Sequence, residues 1–287
     1  HRPVPSRGNA RKGVGRRSGQ PVLAGGNPIG ARVSAGVAMA RPAACASKCE
    51  LTHLERQVID IDNARLQHKQ YEDALAALGC QVQRLPLEPD LPDSVFVEDA
   101  AIVLDELAVI TRPGAESRQP ETESIARALE PYRKLAFIQP PGTLDGGDVL
   151  RIDKALYVGL SGRSNLAGIE QLGSILEPYG YSVQGVELHG CLHLKSAVTQ
   201  VAEDSLLINP AWVDGRVFGD MKLIEVDPRD AFAANAVWIG DANSGSKPWL
   251  FQWMSPAMSL SSKWSRSCRP SLSGSMCFAT TPELLLG

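Results

Sequence analysis

Residues 100–112 read AAIVLDELAVITR, two runs of apolar and β-branched residues joined by the polar pair Asp105 and Glu106. Runs of this kind around a short polar turn predict a β-hairpin.

The same hairpin pattern recurs twice further along the chain. Residues 149–160 read VLRIDKALYVGL and residues 197–209 read AVTQVAEDSLLIN. Their predicted turns fall at Asp153 with Lys154 and at Glu203 with Asp204. Self-similarity at a fixed distance is the signature of a repeated structural unit.

A helical pattern follows each of the first two hairpins. Apolar residues at helical spacing predict helices over residues 120–130 and 164–177. Both predicted helices end in the sequence LEPY. Because proline cannot continue a helix, each helix is followed by a further strand, over residues 134–139 and 181–188. The repeated unit is therefore strand, strand, helix, strand.

Partial copies of this unit flank the complete ones. A helix over 62–78 and a strand over 80–85 precede them, and a further copy begins at Asn235. One unit cannot bury its apolar face alone, so neighbouring units must pack together. We predict an α/β fold of about five ββαβ units in a propeller-like ring, the fifth unit being the least certain.

Polar clusters precede the hairpins and recur every 46 to 48 residues. Equivalent corners of repeated units face a common centre when the units form a ring, so these clusters should converge. Carboxylates in a partly desolvated site bind a planar guanidinium or amidinium through paired hydrogen bonds. The pattern predicts a site for a cationic substrate. The clusters are Glu98 with Asp99, Asp145 with Asp148, and His193 with Lys195.

Two structural interpretations stand beside this one. The glycines of DGGD, residues 145–148, could simply permit a tight turn in which Asp148 caps backbone groups. His193 lies between Leu192 and Leu194, and on a strand it would face away from both, as a packed and hydrogen-bonded histidine does.

Composition narrows the possible partners. The net charge is −3, but residues 1–48 hold nine basic and no acidic residues, and the middle of the chain, 49–241, carries a net −15. An acidic middle disfavours nucleic acid and suits a cation. The six cysteines do not suggest a disulfide scaffold, so we expect a reducing, cytoplasmic setting. No apolar run is long enough to span a membrane. We expect the protein to be a monomer or a homodimer.

Both ends of the chain differ from the middle. We expect residues 1–37 to be a disordered or non-native leader, 38–241 to form the propeller domain, and 242–287 to be an atypical tail in place of the last blade. The abrupt change in composition after residue 241 suggests a different reading frame or a splice junction.

A metal site is not expected. HGCLH, residues 189–193, has a metal-like spacing, but Gly190 and the strand pattern that follows indicate extended chain. The glutamate that a zinc protease needs is also missing from this segment. We predict no metal and no cofactor.

Several motifs together resemble one known family. They are Leu51, IDIDNARLQHKQY (59–71), LPDSVFVED (91–99), VITRPGAESR (109–118), TLDGGDVL (143–150), YVGLSGRSN (157–165) and LHLKS (192–196). In this order they are similar to the dimethylarginine dimethylaminohydrolases, members of the guanidino-modifying superfamily with a five-bladed α/β-propeller fold. The resemblance implies hydrolysis of asymmetric dimethylarginine and monomethylarginine to citrulline and a methylamine, without a cofactor.

The resemblance also implies roles for individual residues. Asp99 and Asp145 would hold the guanidinium with Glu98 beside them, and His193 would be the general acid and base. The amino-acid end of the substrate would be bound by four residues, of which the arginines would clamp its carboxylate. These four are Leu51, Asp93, Arg118 and Arg163.

The chain departs from the family at the nucleophile. The family carries a cysteine in a C-terminal motif resembling GGLTCCS, which this chain lacks. Cys277, in GSMCFAT, lies near the expected distance from His193 and is the candidate, with Cys268 as the other thiol of the tail. Alternative functions are an arginine deiminase or amidinotransferase of the same superfamily, or a non-catalytic protein that binds an arginine derivative, and this form could be inactive.

Overall fold

The computed structural model describes residues 32–33, 37–42, 60–77, 80–239 and 249–252. The predictions for most of the leader, for Leu51 and for Cys268 and Cys277 therefore lie outside the described residues. Within those residues, no helix is both long enough and apolar enough to cross a lipid bilayer.

The described chain alternates short strands with short helices. In chain order the elements are β1 (Arg32–Val33), β2 (Val37–Ala40), α1 (Ile61–Ala77), β3 (Gln81–Arg84), β4 (Ala101–Val103), β5 (Leu107–Ile110), α2 (Glu121–Leu129), β6 (Lys134–Phe137), β7 (Val149–Ile152), β8 (Ala155–Leu160), α3 (Leu166–Leu176), β9 (Ser182–Glu187), α4 (Leu194–Ala197), β10 (Val198–Ala202), β11 (Ser205–Ile208), β12 (Lys222–Glu225), β13 (Ala236–Ile239) and β14 (Trp249–Gln252).

The strands of the described segments form five small sheets. Three of them share one topology, an antiparallel hairpin whose second strand pairs in parallel with a third: β4-β5-β6, β7-β8-β9 and β10-β11-β12. The partial units are β2 with β3, a parallel pair around α1, and β1-β13-β14. The predicted α/β fold of repeated ββαβ units is confirmed.

Successive units pack against one another because each has an apolar face to cover. Leu107 and Val109 of β5 share a buried cluster with Leu156 of β8 and Leu172 of α3. In the same way Leu150 of β7 packs into a cluster that belongs mostly to the next unit. The buried clusters therefore lie between successive sheets. This packing places the first residues of each hairpin close to the first residues of the neighbouring hairpins.

One local prediction was wrong. Residues 189–193 were expected to lead directly into a strand, but the one-turn helix α4 follows the extended His193 and precedes β10. Within the tail, β14 pairs antiparallel with β13 in the fifth sheet. In addition, β1 lies inside the predicted leader and pairs in parallel with β13.

Candidate active site

Three of the predicted site residues converge. One carboxylate oxygen each of Asp99 and Asp145 and a ring nitrogen of His193 all lie within 4.8 Å of one another. Asp145 is fully buried, Asp99 is 6% exposed, and the His193 side chain is 14% exposed. Residues 94 positions apart in the sequence thus form one desolvated acidic site with a histidine at its edge.

Each converging residue belongs to a short helical turn in front of a hairpin. Asp99 lies in the 3-10 turn Val97–Ala100, which ends where β4 begins, and Asp145 precedes the turn Gly146–Asp148, which ends at β7. His193 is the N-terminal capping position of α4, which ends at β10. The repeat therefore delivers the three side chains from equivalent positions.

Both carboxylate oxygens of Asp145 and its backbone N–H have hydrogen-bond partners. Its Oδ2 lies 3.2 Å from Nε2 of His193, and its Oδ1 accepts a hydrogen bond from the backbone N–H of Gly114 at 3.0 Å. Its own backbone N–H donates to Oγ of Ser164 at 3.0 Å. A carboxylate with such fixed partners keeps one position, as a site that orients a substrate requires.

Gly147 separates Asp99 from His193, and only glycine fits there. Its N–H donates to Oδ1 of Asp99 at 2.9 Å. A Cβ on this residue would lie 2.7 Å from that oxygen and 2.8 Å from Nδ1 of His193. The DGGD segment therefore has a steric role in the site in addition to permitting the turn.

Arg118 pairs with Asp99 inside the protein. Its Nη1 donates to Oδ2 of Asp99 at 2.7 Å, and its Nη2 donates to Oε2 of Glu121 at 2.9 Å. All three side chains are buried. Burial would raise the pKa of Asp99, but the positive charges of His193 and Arg118 outweigh this effect and hold that pKa well below its usual range.

The predicted neighbour Glu98, which is nearly buried, forms a second ion pair with the buried Lys195 of α4. Burial raises the pKa of Glu98 and lowers the pKa of Lys195, while their mutual attraction opposes both changes. This pair joins the first polar cluster to the third, so all three clusters of the sequence meet.

The residues expected to bind the amino-acid end of the substrate lie in different places. Asp93 is buried in the 3-10 turn Pro92–Val95, and its carbonyl accepts from Nη2 of Arg118 at 3.3 Å. Arg163 is buried in the loop between β8 and α3. Its backbone lies against Gly114, and a Cβ on that glycine would be only 2.4 Å from the Arg163 carbonyl oxygen.

The two cysteines among the described residues do not have the properties of nucleophiles. Cys80 is buried, and burial together with the charge of Asp148 raises the pKa of Cys191 to about 12. A thiol must ionise to attack a carbon centre, so Cys191 is a poor candidate although its Sγ lies 3.5 Å from the His193 carbonyl oxygen. Both thiols are therefore better explained as parts of the packed interior than as reactive groups.

His193 is a cation at neutral pH. Burial alone would lower its pKa, but Asp99, the hydrogen bond to Asp145 and the charges of Asp148 and Asp145 together raise the pKa to about 9. A protonated imidazole of this kind can donate a proton to a departing amine.

The raised pKa of His193 predicts how stability depends on pH. An unfolded histidine has a pKa near 6.5, so the stabilising contribution is fully present below about pH 6.5 and is lost as pH rises through about 9. We expect the free energy of unfolding to fall by about 3 kcal/mol across this interval. Denaturant unfolding at pH 6, 8 and 10 measures it.

The control for this prediction is a pair of variants. In His193→Gln the decrease between pH 6 and 10 should be much smaller, whereas His189→Gln, at an exposed histidine in the same segment, should keep it. Equal decreases in the wild type and His193→Gln would contradict the assigned charge of His193.

Asp99, Asp145 and His193 could also offer donor atoms to a metal ion. A metal ligand must be a neutral imidazole, however, and despite burial the surrounding carboxylates raise the pKa of His193 to about 9, so its ring is protonated at neutral pH. We therefore treat these residues as a site for an organic cation and not as metal ligands.

Sequence reasoning missed several partners of the site. Glu121, which pairs with Arg118, was not identified from the sequence, although the two residues are three positions apart, a spacing at which side chains on a helix can form an ion pair. Ser161 and Ser164 carried no signal, because their hydroxyls meet Asp148 only through the tertiary fold. The interpretation of Asp148 as a backbone cap is confirmed, since it accepts from the N–H of Leu194.

Comparisons with known proteins identify the relatives of this chain. Residues 40–245 match the family model described as arginine deiminase. A Streptomyces coelicolor protein named N(G),N(G)-dimethylarginine dimethylaminohydrolase is 42% identical over 187 residues, which are 65% of this chain and 68% of that protein. The Pseudomonas aeruginosa protein of the same name is 36% identical over 184 residues, 63% of this chain and 72% of that protein.

Solved structures show the same likeness. The dimethylarginine dimethylaminohydrolase of Pseudomonas aeruginosa in complex with citrulline superimposes with a TM-score of 0.72 at 32% identity, over 79% of this chain and 87% of that chain. A dimethylarginine dimethylaminohydrolase adduct with S-methyl-L-thiocitrulline gives a TM-score of 0.69 at 33% identity, over 76% and 84% of the two chains.

Proposed function

This chain belongs to the dimethylarginine dimethylaminohydrolase family, and on that premise we propose that it hydrolyses N-omega-methylated arginine to citrulline and a methylamine. The substrates are asymmetric dimethylarginine and monomethylarginine. The observation that carries the proposal is the convergence of Asp99, Asp145 and His193 in one desolvated site.

The carboxylates bind the substrate cation. The guanidinium of a methylarginine is planar and positively charged, and it donates paired hydrogen bonds to carboxylate oxygens. Asp99 and Asp145 present such oxygens from neighbouring units, and Glu98 adds a third carboxylate beside them. Because these groups are held by backbone donors and ion pairs, they place the guanidinium carbon in a fixed position for attack.

The reaction has two steps, and His193 acts in both. A cysteine thiolate attacks the guanidinium carbon, and His193 gives its proton to the departing methylamine, leaving a covalent thiouronium. His193, now neutral, takes a proton from water, and the resulting hydroxide attacks the same carbon. The carbon–sulfur bond then breaks while the added hydroxyl loses its proton to the released amine or to solvent, so that citrulline leaves and the thiolate is restored. Cys277 is the proposed nucleophile.

The opposite end of the substrate carries an amino and a carboxylate group. We assign Arg163 and Arg118 to the carboxylate, and Asp93 with the backbone of Leu51 to the amino group. In the structure Nη1 of Arg118 donates to Asp99, so this role requires that Nη1 turn from Asp99 to the substrate carboxylate while Nε and Nη2 stay bonded to Glu121. Free-arginine deimination and amidino transfer are less well supported, because both curated relatives named above are dimethylarginine hydrolases.

Citrulline release from asymmetric dimethylarginine by the purified chain tests the function. We expect release by the wild type, its loss in Cys277→Ser, and its retention in Cys268→Ser, the matched thiol variant of the tail. If a folded wild type releases no citrulline yet binds asymmetric dimethylarginine in calorimetry, the chain is a binding protein and the hydrolase proposal fails. Release that survives in Cys277→Ser overturns that cysteine as the nucleophile.

A further inference from the structure

Asp148 lies behind the site, and its carboxylate is fully buried. Its Oδ1 accepts the backbone N–H of Leu194 at 3.0 Å. Its Oδ2 accepts the hydroxyls of Ser161 at 2.6 Å and Ser164 at 2.7 Å. Both oxygens of one carboxylate are thus committed to segments that are separate in the sequence.

The bond to Leu194 determines what the His193 side chain can do. A residue at the N-terminal capping position often uses its own side chain to accept a backbone N–H of the first turn. The His193 side chain makes no such bond, and the N–H of the adjacent Leu194 is accepted by Asp148 of the preceding unit, which fixes the backbone next to the imidazole. The imidazole is therefore available to Asp145.

The two serines extend the network to the other side of the site. The Ser161 hydroxyl accepts the backbone N–H groups of Arg163 at 2.9 Å and Ser164 at 3.2 Å. The Ser164 hydroxyl accepts the backbone N–H of Asp145 at 3.0 Å. Through these hydroxyls Asp148 is linked to the loop that carries Arg163 and to the backbone of Asp145.

We propose that Asp148, with the hydroxyls of Ser161 and Ser164, is a positioning residue that aligns His193 with the loop of Arg163 across the cation site. This inference rests on the proposed function for the role of the site, and it adds a residue that touches no substrate. One buried carboxylate sets the relative position of the acid–base group and of the arginine that binds the substrate carboxylate.

Asp148 also acts on His193 through its charge. Burial raises the pKa of Asp148 to about 6 against the opposing effects of His193 and the two serines, so the carboxylate is ionised where His193 titrates. Its negative charge is one of those that favour the imidazolium. The charged and titratable groups around His193 are Glu98, Asp99, Asp145, Asp148, Lys195 and Cys191.

Asp148→Asn tests the proposal because asparagine keeps the size of the side chain and removes its charge. We expect an NMR titration of the His193 imidazole to show a pKa lower by about one unit. The basic limb of the pH profile of kcat should move by the same amount. Asp105→Asn, at an exposed hairpin turn, is the matched control and should move neither.

Ser164→Ala tests the link to the substrate-binding side. Loss of its hydroxyl frees the backbone of Asp145 and one contact of Asp148, so we expect KM to rise several-fold with a smaller change in kcat. Ser174→Ala, an exposed serine whose hydroxyl donates to a helix carbonyl, is the control. Should Asp148→Asn fail to fold, this variant and Ser161→Ala carry the test.

The proposal is overturned if Asp148→Asn only lowers the unfolding temperature while the His193 pKa and KM equal those of Asp105→Asn. If Asp148→Asn does not fold, unchanged KM and unchanged His193 pKa in Ser164→Ala overturn it. Failure of the proposed function is a separate outcome. Even if the wild type releases no citrulline, comparing the His193 pKa of the wild type and of Asp148→Asn by NMR still shows whether Asp148 acts on His193.

Discussion

Replacing His193 by glutamine is expected to lower kcat for citrulline release by about 10²–10⁴-fold, the range typical for loss of a general acid and base. Glutamine keeps a polar group near Asp145 but cannot protonate the departing methylamine or accept a proton from water. KM should change only a few-fold, because Asp99 and Asp145 remain to bind the cation.

Steady-state kinetics of the wild type, His193→Gln and His189→Gln measure this effect. The last variant changes an exposed histidine of the same segment and should behave as the wild type does. A decrease of less than tenfold in His193→Gln, with folding intact, would show that another group transfers the protons. Mass spectrometry of the intact protein should also reveal whether a covalent adduct forms in the variant.

Replacing Asp99 by asparagine is expected to raise KM for asymmetric dimethylarginine by about 10- to 150-fold, the equivalent of one hydrogen bond between charged groups. The neutral amide no longer compensates the substrate cation. It also leaves Arg118 with Glu121 as its remaining ion-pair partner among the described residues, which should lower stability at neutral pH.

The effect of Asp99→Asn on stability has a defined pH dependence. Because the pKa of Asp99 is depressed in the folded state, its contribution is present above the unfolded value near 4 and is lost as pH falls through the lower folded value. The difference in unfolding free energy from the wild type should therefore shrink below about pH 4. Asp105→Asn, an exposed aspartate variant, is the control, and an unchanged KM in Asp99→Asn would exclude Asp99 from cation binding.

Local pattern was sufficient for the elements of the fold. The three hairpin turns, at residues 105–106, 153–154 and 203–204, lie between the strands as predicted, and α2 and α3 begin and end within two residues of the predicted bounds. These features depend on residues close in the sequence, namely apolar periodicity, polar turns and helix-ending prolines. The four residues after His193, LKSA, were misassigned because so short a segment has no periodicity that distinguishes a strand from a one-turn helix.

The sequence by itself determined the repeat, and with it which side chains would meet, because equivalent positions of packed units face one centre. Asp99, Asp145 and His193 were found in this way. Only the tertiary structure decided the partners: Arg118 with Asp99 and Glu121, Lys195 with Glu98, and Asp148 with two serines and the start of α4. The reason is that a hydrogen bond or ion pair depends on distances of a few tenths of an ångström between segments far apart in the chain, which packing sets and local pattern does not encode.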